Sequence, residues 1–476
     1  MATDPMDLWT ASREPPEALR PVLRPRVVVS PWNPPRKENA VITLASVSPR
    51  HAKSLLSVVC GVQLLTVVVL VTAAPALAQS AIPAQRSDLR YGKWLRERGP
   101  QDPRPHERGD LLIGHGLLRP GYFEFKNRLW VEHGLGFGGY YSVNEQVGTA
   151  NGSWHGSGEA LALAQWELLR GDDRVGRLVF GLAFDHAIGR TTRQFADTQN
   201  LVEDPDDLDT GDANTFTTLG LLAWEQEFHL GPDRGWGFRA GQLFAASYFG
   251  IVRYLDDDRR NFLARPLAAA AGAQWVGEND IGLGVNVVGW RQPFYASVAV
   301  MDAKARRTWP DFDSPQDGEL LYVGEVGYER DEGGPNHAAL RVAFSHIDLE
   351  DGANPQKGPG YALVVSGLRR FDGRFALFGR WTQSWNRESA KYQELLSAGT
   401  AWTRPFGRSQ DFLGFGVWIG DPSDPDRHTE YGLELSYRIQ LTQGLSLLAD
   451  LQYWLREKEG DDVRAWIPGV RVNFDY

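Results

Sequence analysis

The chain has 476 residues, a formal net charge of −10 and a single cysteine. This length is enough for several small domains or for one large one. The acidic balance excludes a typical nucleic-acid-binding protein, because such proteins present a basic surface to phosphates.

The first 78 residues are predicted to lie outside the folded protein. Residues 1–49 are rich in proline, which indicates either a disordered leader or a start codon placed too far upstream. Residues 50–78 have the order of a secretory signal peptide: basic residues, an uncharged apolar run over 55–74, and Ala76 and Ala78 in an A-x-A cleavage pattern. The run could also span a bilayer as an anchor, but Pro75 and the small-residue site favour cleavage.

Removal of residues 1–78 changes the charge and the cysteine content of the chain. These residues hold 8 Lys and Arg against 5 Asp and Glu, so the formal charge of the remainder falls from −10 to −13. They also contain Cys60, the one cysteine of the sequence. The exported chain therefore needs no disulfide bond.

Residues 79–134 are predicted to form a periplasmic segment with no long helix, and residues 135–476 an all-β transmembrane barrel. Within the barrel, apolar and polar residues alternate over segments of about ten to fourteen residues, which is typical of a strand with two different faces. We predict sixteen strands at 135–147, 157–169, 176–187, 214–230, 236–249, 280–289, 294–303, 319–330, 338–348, 361–370, 374–386, 394–404, 411–420, 429–441, 445–456 and 464–476.

The predicted connections alternate between short and long. Short turns such as "TQG" (442–444) and "FDG" (371–373) alternate along the chain with segments as long as 188–213 and 250–279. An outer-membrane barrel has short periplasmic turns and long extracellular loops, and lipid requires that its sheet close on itself. The last strand, "GVRVNFDY", is therefore predicted to pair with the first. A soluble sandwich or propeller is the alternative, but no linker follows residue 135.

Sequence motifs for catalysis, cofactors or metals are weak. "GLGFGG" (134–139) fits a dinucleotide fingerprint, but a strand pattern rather than a helix follows it. The histidines show no metal-ligand spacing. We therefore predict no enzyme, no cofactor and no metal site. The acidic stretches 203–212, 254–260 and 420–430 are interpreted as solvated extracellular loops, with calcium binding or bridging of lipopolysaccharide as the alternative.

Several segments resemble a known family. "YGLELSYRIQLTQGLSLLADLQYWLRE" near the C-terminus, "FLGFGVWIGDPSDPD" before it, and the segments 221–250 and 127–143 are similar to carbohydrate-selective porins of the OprB type. "YGKWLRERG" (91–99) departs from the opening segment of that family. The resemblance covers about residues 90–476.

The resemblance implies a sixteen-stranded barrel in the outer membrane of a Gram-negative bacterium, through which mono- and small oligosaccharides diffuse. It also implies lipid and lipopolysaccharide as surroundings and allows a homotrimer. The terminal Tyr476 resembles the signal that barrel-assembly machinery reads. Nucleic acid is not expected as a partner.

Strand alternation selects residues that could line such a pore, where opposed rows of acids and bases would orient dipolar solutes. The candidates on the strands are Glu225, Arg239, Glu325, Arg341, Arg380, Glu434, Arg438, Asp450 and Arg471. The segment 250–279 is predicted to fold inward as a constriction loop, with Arg253, Arg259, Arg260 and Asn261 as its candidate residues. A pore for other solutes, an exporter and a barrel enzyme are the competing hypotheses, and no clustered Ser, His or Asp supports the last.

Overall fold

The structure is a computed structural model, and it describes residues 120–206, 215–252, 254–255, 260–268, 281–303, 319–331, 335–347, 360–385, 390–408, 410–442, 444–456 and 463–475. The predicted leader, the signal peptide and the first part of the 79–134 segment lie outside these residues. Tyr476 and residues 207–212 of the first acidic stretch lie outside them as well.

Sixteen antiparallel strands close into one barrel, as the alternation predicts. In chain order they are β1 (Leu135–Gly148), β2 (Ser153–Arg170), β3 (Arg174–Gly189), β4 (Thr215–His229), β5 (Arg234–Phe244), β6 (Ile281–Arg291), β7 (Phe294–Asp302), β8 (Leu320–Arg330), β9 (Ala338–Ile347), β10 (Gly360–Phe371), β11 (Phe375–Trp385), β12 (Tyr392–Thr403), β13 (Phe412–Pro422), β14 (Glu430–Thr442), β15 (Leu445–Arg456) and β16 (Val463–Asp475).

Each strand pairs with its neighbours in the sequence, and β16 pairs with β1. Val143 lies opposite Val472 at this seam, and the Ser142 hydroxyl donates a hydrogen bond to Asn473 Oδ1 at 2.5 Å. The prediction that the last strand closes the barrel against the first is therefore confirmed. Closure satisfies the backbone groups that an open sheet would leave at its edges.

The two faces of the wall differ as the sequence pattern requires. On β1, Ser142, Asn144 and Gln146 are buried on the inner face, whereas Tyr141 and Val147 are exposed on the outer face. On β3 the outer face carries Leu178 and Phe184 among its exposed residues. A continuous apolar outer surface is what a hydrocarbon environment requires of a spanning barrel.

The connections differ in length at the two ends of the barrel. One end, called here the turn end, joins strands through two to eight residues, as between β6 and β7 or between β14 and β15. The opposite end, called here the loop end, carries the two longest connections, 190–214 and 245–280. The described residues of these connections include two helices and a 3-10 turn: α2 (Thr192–Gln199), α3 (Arg265–Ala268) and η1 (Ala245–Ser247). A second 3-10 turn, η2 (Pro405–Gly407), lies at the turn end.

A helix of fourteen residues, α1 (Pro120–His133), precedes β1 and was not predicted. Its sequence, "PGYFEFKNRLWVEH", has apolar residues on several sides of the helix. It therefore lacks the single apolar stripe from which a helix is predicted. Proline at its first position is compatible with a helix start. The helix ends at Gly134, whose φ of +66° and hydrogen bond to the Trp130 carbonyl at 2.9 Å turn the chain into β1.

Strand boundaries agree with the predicted ones within four residues, with one exception. β5 ends at Phe244 rather than at residue 249. The apolar residues that continue the pattern, Ala245 and Phe249, are buried inside the barrel rather than in its wall. The chain leaves the sheet there and turns inward through η1.

Candidate functional site: the inward loops and the lumen wall

Two loops from the loop end enter the lumen. Loop A comprises the described residues 190–206, and loop B comprises 245–252, 254–255 and 260–268. Loop A begins with α2, where Thr191 Oγ1 accepts a hydrogen bond from the Gln194 N–H at 3.2 Å and the Gln194 side chain accepts one from Thr191 N–H. Asn200, at φ 60°, ends the helix and directs the following residues inward.

The tip of loop A is held by its buried carboxylate, Asp206. Asp206 Oδ2 accepts hydrogen bonds from Asn144 Nδ2 at 2.8 Å and from the Ser157 hydroxyl at 2.5 Å. The Arg471 guanidinium donates to Oδ1, and His155 Nε2 lies 3.6 Å from Oδ2. Burial alone would raise the pKa of Asp206, but Arg471, His155 and Ser157 hold that pKa well below its usual range. Loop A is thereby tied to β1, β2 and β16.

Backbone groups of loop A make further contacts with the wall. The Pro205 carbonyl accepts from Gln146 Nε2 at 2.9 Å and from Gln452 Nε2 at 2.8 Å. The Val202 N–H donates to Glu430 Oε2 at 2.9 Å. Inner-wall side chains of β1, β14 and β15 thus satisfy backbone groups that would otherwise be buried without a partner.

Loop B is held mainly by carboxylates that receive its backbone N–H groups. Glu325 Oε2 accepts from Gly250 at 2.6 Å. Glu434 accepts from two successive residues, Leu263 at 2.6 Å and Ala264 at 2.9 Å, one on each carboxylate oxygen. Charge-assisted hydrogen bonds of this kind are roughly twice as strong as neutral ones.

The carbonyl groups of α3, at the end of the described part of loop B, face β11 and β12. The Ser397 hydroxyl donates to the Pro266 carbonyl at 2.6 Å, and Arg380 Nη2 donates to the Leu267 carbonyl at 3.3 Å. Gly416 permits this close approach, because a Cβ there would lie 2.5 Å from Leu267 Cδ1. Loop B therefore runs across the lumen from the β8 wall to the wall of β11–β14.

The two loops contact each other where Arg265 meets the acidic end of loop A. The Arg265 N–H donates to the Asp204 carbonyl at 3.2 Å, and its guanidinium lies 3.7 Å from Asp204 and 3.9 Å from Glu203. Arg193 lies 3.7 Å from Asp204 on the other side. Burial and the neighbouring Glu203 raise the pKa of Asp204 to about 6, against the opposing effect of the two arginines. Together the loops form one bridge across the lumen.

An apolar cluster lies beneath this bridge. Loop A contributes Phe195 and Val202, loop B contributes Phe262 and Leu267, and all four are buried. Their partners are inner-wall residues of β11–β16, namely Phe378, Tyr392, Leu395, Phe412, Trp418, Trp454, Ala465 and Ile467. This part of the inner wall is therefore apolar and covered. Strand alternation alone does not distinguish it from an outer face.

The inner wall of β3–β9 carries a row of paired charged side chains, which we call the polar ribbon, beside a second apolar cluster in which Val179, Leu221 and Leu321 pack against Phe249 of loop B. Arg177 pairs with Glu225 at 2.8 Å and with Glu227 at 2.6 Å, and Glu225 also pairs with Arg239 at 2.9 Å. Arg239 continues to Asn286 Oδ1 at 3.0 Å. Its guanidinium also lies 4.1 Å from the ring centre of Tyr248 in loop B, which is a cation–π distance.

The polar ribbon extends to β7, β8 and β9. The Tyr295 hydroxyl donates to Glu325 Oε1 at 2.6 Å. Glu329 pairs with Arg341 at 3.0 Å and with His337 at 3.0 Å. Acidic and basic side chains thus alternate along the ribbon, and neither sign dominates it.

All nine strand candidates from the sequence lie on the inner face, and the structure divides them by what they contact. Glu325, Glu434, Arg380 and Arg438 contact loop backbone; Arg438 donates to the Arg260 carbonyl at 3.3 Å. Arg471 binds the carboxylate of loop A. Glu225, Arg239 and Arg341 belong to the polar ribbon, and Asp450 accepts from Gln452 at 3.0 Å. The candidates thus include both anchors of the loops and groups of the ribbon.

The structure describes two of the four constriction candidates of loop B. Arg260 lies 3.5 Å from Asp475 of β16, and Asn261 is buried inside the barrel. Arg253 and Arg259 lie outside the described residues.

One interpretation of the sequence is wrong. Glu203, Asp204 and Asp206 belong to a stretch that was interpreted as a solvated loop, yet all three are buried in the lumen. Arg193 and Arg265 of the loops lie beside Glu203 and Asp204, and Arg471 and the Ser157 hydroxyl on the strands bind Asp206. The apolar Phe195, Leu201 and Val202 just before them are the signal that could have indicated an inward loop.

Among the described residues no group of three or more His, Cys, Asp or Glu side chains is arranged to hold a metal ion. In the same part of the chain, no helix has both the length and the apolar character needed to cross a bilayer.

The comparison with protein families decides between the kinds of barrel. The profile of the carbohydrate-selective porin family, OprB, matches residues 360–476, which comprise β10–β16. This part of the chain is similar to the carbohydrate-selective porins. The resemblance noted in the sequence is confirmed, and so is the predicted function, a porin for the diffusion of sugars. The fold and the family describe a transport channel.

One solved structure supports this fold, and two others show a weaker likeness. OprB of Pseudomonas putida at high pH has a TM-score of 0.59 and 14% identity, covering 75% of this chain and 97% of that one. The low-pH structure of the same protein has a TM-score of 0.48 and 13% identity, covering 76% and 99%. An engineered variant of the Rh. blastica porin has a TM-score of 0.45 and 12% identity, covering 72% of this chain and 100% of that one. No curated protein sequence matches the chain.

Proposed function

We propose that the protein lies in the outer membrane of a Gram-negative bacterium and that mono- and small oligosaccharides diffuse through its lumen along the polar ribbon. The observation that carries this proposal is the bridge of loops A and B, anchored over the apolar wall of β11–β16. Solute then has the polar ribbon on the opposite wall as its polar lining. Sugars are neutral and rich in hydroxyl groups, so a lining of fixed donors and acceptors suits them.

The charges of the ribbon support a neutral solute. Arg177, Arg239 and Arg341 are each paired with carboxylates at 3.0 Å or less. An anion pathway would need a surplus of basic groups, whereas these arginines are balanced within the wall. Paired charges also hold their donor atoms in fixed positions, which favours solutes with several hydroxyl groups.

Liposome swelling tests the proposal directly. The folded chain in liposomes should admit glucose faster than a charged solute of similar size, and an excess of a related sugar should slow that entry. A disaccharide measures the size limit. Entry graded by size alone would contradict selectivity and favour the alternative, a general or other-solute pore.

Neutralising an arginine and its glutamate partner together tests whether sugars pass along the polar ribbon. We expect Arg177→Gln combined with Glu225→Gln to change glucose entry, because the pair lies in the ribbon and the net charge is unchanged. Glu145→Gln, on the exposed outer face of β1, is the control and should leave entry unchanged. Equal swelling rates in the paired variant and the wild type would place the route elsewhere.

We also propose the partners that accompany this location. Exposed Trp154 and Trp385 near the loop end and Trp166 near the turn end fit the two aromatic belts of a barrel in lipid and lipopolysaccharide. Recognition of Tyr476 by barrel-assembly machinery and assembly into a homotrimer remain predictions. Cross-linking in native membranes would reveal the trimer.

A further inference from the structure

Tyr248 lies where loop B meets the polar ribbon. Its ring packs over the Arg239 guanidinium, with 4.1 Å between the guanidinium carbon and the ring centre. Arg239 is itself fixed in the wall, because its Nε donates to Glu225 Oε1 at 2.9 Å and its Nη1 donates to Asn286 Oδ1 at 3.0 Å. One face of the Tyr248 ring therefore rests on a firmly held part of the inner wall.

The residues on both sides of Tyr248 hold it in this place. Ala245 and Phe249 are buried in the second apolar cluster. The Tyr248 N–H donates to the Ala245 carbonyl at 2.9 Å, and the Gly250 N–H donates to Glu325 Oε2 at 2.6 Å. Movement of the tyrosine away from the ribbon would break these contacts, so the position of the ring is fixed by the fold.

Tyr248 is only partly buried, unlike the residues that hold it. Phe249 and Arg239 are each 1% exposed, whereas Tyr248 packs against the edge of the apolar cluster and keeps part of its surface accessible. Because Arg239 covers one face of the ring, the accessible part lies on the side toward the lumen. A solute that follows the polar ribbon therefore meets an aromatic surface at this point instead of the arginine beneath it.

We propose that Tyr248 forms a sugar-binding subsite, at which the C–H face of a pyranose ring packs against the lumen side of the tyrosine ring while the sugar hydroxyl groups remain hydrated. The inference rests on the proposed function, a pore for sugars. Tyrosine combines a large apolar surface with a polar hydroxyl, and sites for small molecules are lined mainly by such surfaces. A small inorganic ion has no apolar face and gains nothing from this contact.

The strength of such a contact suits a channel. A solute that crosses a pore must bind well enough to enter and weakly enough to leave. One aromatic ring provides a modest attraction, so a sugar is held briefly and then released. Arg239 does not trap anions at this point, because Tyr248 covers its guanidinium and Glu225 balances its charge at 2.9 Å.

Glucose titration of the single-channel current tests the subsite. Glucose bound in the lumen interrupts the ion current, and the concentration dependence of the interruptions gives a Kd. Tyr248→Leu removes the aromatic face, so we expect its Kd to rise by about threefold to tenfold. Tyr248→Phe keeps that face and should stay close to the wild type. Tyr322→Leu, at a tyrosine that is 43% exposed on the outer face of β8, is the matched control and should keep the wild-type Kd.

An unchanged Kd in Tyr248→Leu, or an equal rise in Tyr248→Phe, would overturn the proposal. Glu434→Gln weakens the hold on loop B at residues 263 and 264, and an equal rise of the Kd in that variant would assign the effect to a displaced loop and would also overturn it. Heat-modifiable gel mobility confirms that each variant is folded.

Liposome swelling of the wild type reports the sugar pore separately. A wild type that admits glucose, together with an unchanged Kd in Tyr248→Leu, would refute the subsite alone. A wild type that excludes glucose would refute the proposed pore and the subsite with it. Glucose entry without any saturable interruption of the current would also refute the subsite.

Discussion

Glu434 holds loop B through two successive backbone N–H groups, and no other described side chain accepts from both. Replacement by glutamine keeps the shape but removes the charge that both donors share. A buried donor without a good acceptor costs about 1–3 kcal/mol. We therefore expect Glu434→Gln to loosen loop B and to raise the single-channel conductance and its noise in planar bilayers.

Glu329→Gln is the matched control for this change. Glu329 is also a buried inner-wall carboxylate, and it pairs with Arg341 of β9 and with His337 of the preceding turn. Loop B should stay in place in this variant. Equal conductance changes in the two variants would show that Glu434 does not act through the loop.

Asp204 gives the loop bridge a pH dependence. Its pKa of about 6 lies above the unfolded value of about 3.9. The folded state therefore binds the extra proton between these values, so this residue favours folding at low pH and the advantage is lost as pH rises through about 6. The unfolding temperature of the wild type should fall over this range relative to that of Asp204→Asn, and the corresponding loss in the free energy of unfolding is about 3 kcal/mol.

Asp197→Asn, on the exposed side of α2, controls for a general effect of removing a loop A carboxylate. Its unfolding temperature should follow the wild type across the pH range. Parallel pH profiles for the wild type and Asp204→Asn would rule out a protonation of Asp204 near pH 6.

The inner-wall position of residues such as Glu434 and Arg471 could be predicted from the sequence, because strand alternation fixes the face of each side chain. Their partners could not. Glu434 binds residues 263 and 264, and Arg471 binds residue 206, through loops whose paths depend on the closed barrel. Contacts at such sequence separation leave no local pattern.

At the scale of single elements, the end of β5 decides where loop B enters the lumen. Gly241 has a φ of +139°, and a Cβ there would lie 2.2 Å from the Leu222 carbonyl oxygen of β4. We expect Gly241→Ala to strain β5, at a cost of about 1–3 kcal/mol, and to lower the temperature at which the barrel loses its compact gel mobility.

Gly289→Ala on β6 provides the comparison, because no atom lies within 4 Å of a Cβ at that position. This variant should unfold like the wild type. A barrel equally stable in both variants would mean that β5 and β4 adjust without cost to the added methyl group.

The helices were the least predictable elements. Helix α2 has only eight residues, and its buried positions Phe195 and Ala196 face the lumen instead of a conventional core. The strands were predictable because a bilayer demands a long, regular alternation over each of them. A short helix inside a lumen does not contact the bilayer, so its sequence needs no such regular alternation.

At the scale of the whole molecule, closure between β1 and β16 can be tested by cross-linking. Val143 and Val472 face each other across the seam on the outer side. In a Cys60→Ser background, Val143→Cys with Val472→Cys should form a disulfide bond on oxidation and keep the barrel closed during heating. A bond that closes so long a segment contributes about 4–5 kcal/mol when it is unstrained.

The pair Val143→Cys with Val470→Cys tests the register. Val470 pairs with Glu145, two residues along, which puts its Cβ roughly 7–8 Å from that of Val143 on the diagonal. That separation exceeds the reach of a disulfide bond. Efficient cross-linking of this second pair, or none of the first, would contradict the register.

The apolar cluster of Trp418, Trp454 and their neighbours has a consequence for attempts to widen this pore. Wetting of a channel depends on how well its surface can hydrogen-bond to water, and nonpolar constrictions expel water even when they are wide enough to hold it. Excision of loops A and B would uncover that surface. The shortened barrel would gain free volume on one side without gaining a hydrated conduit there.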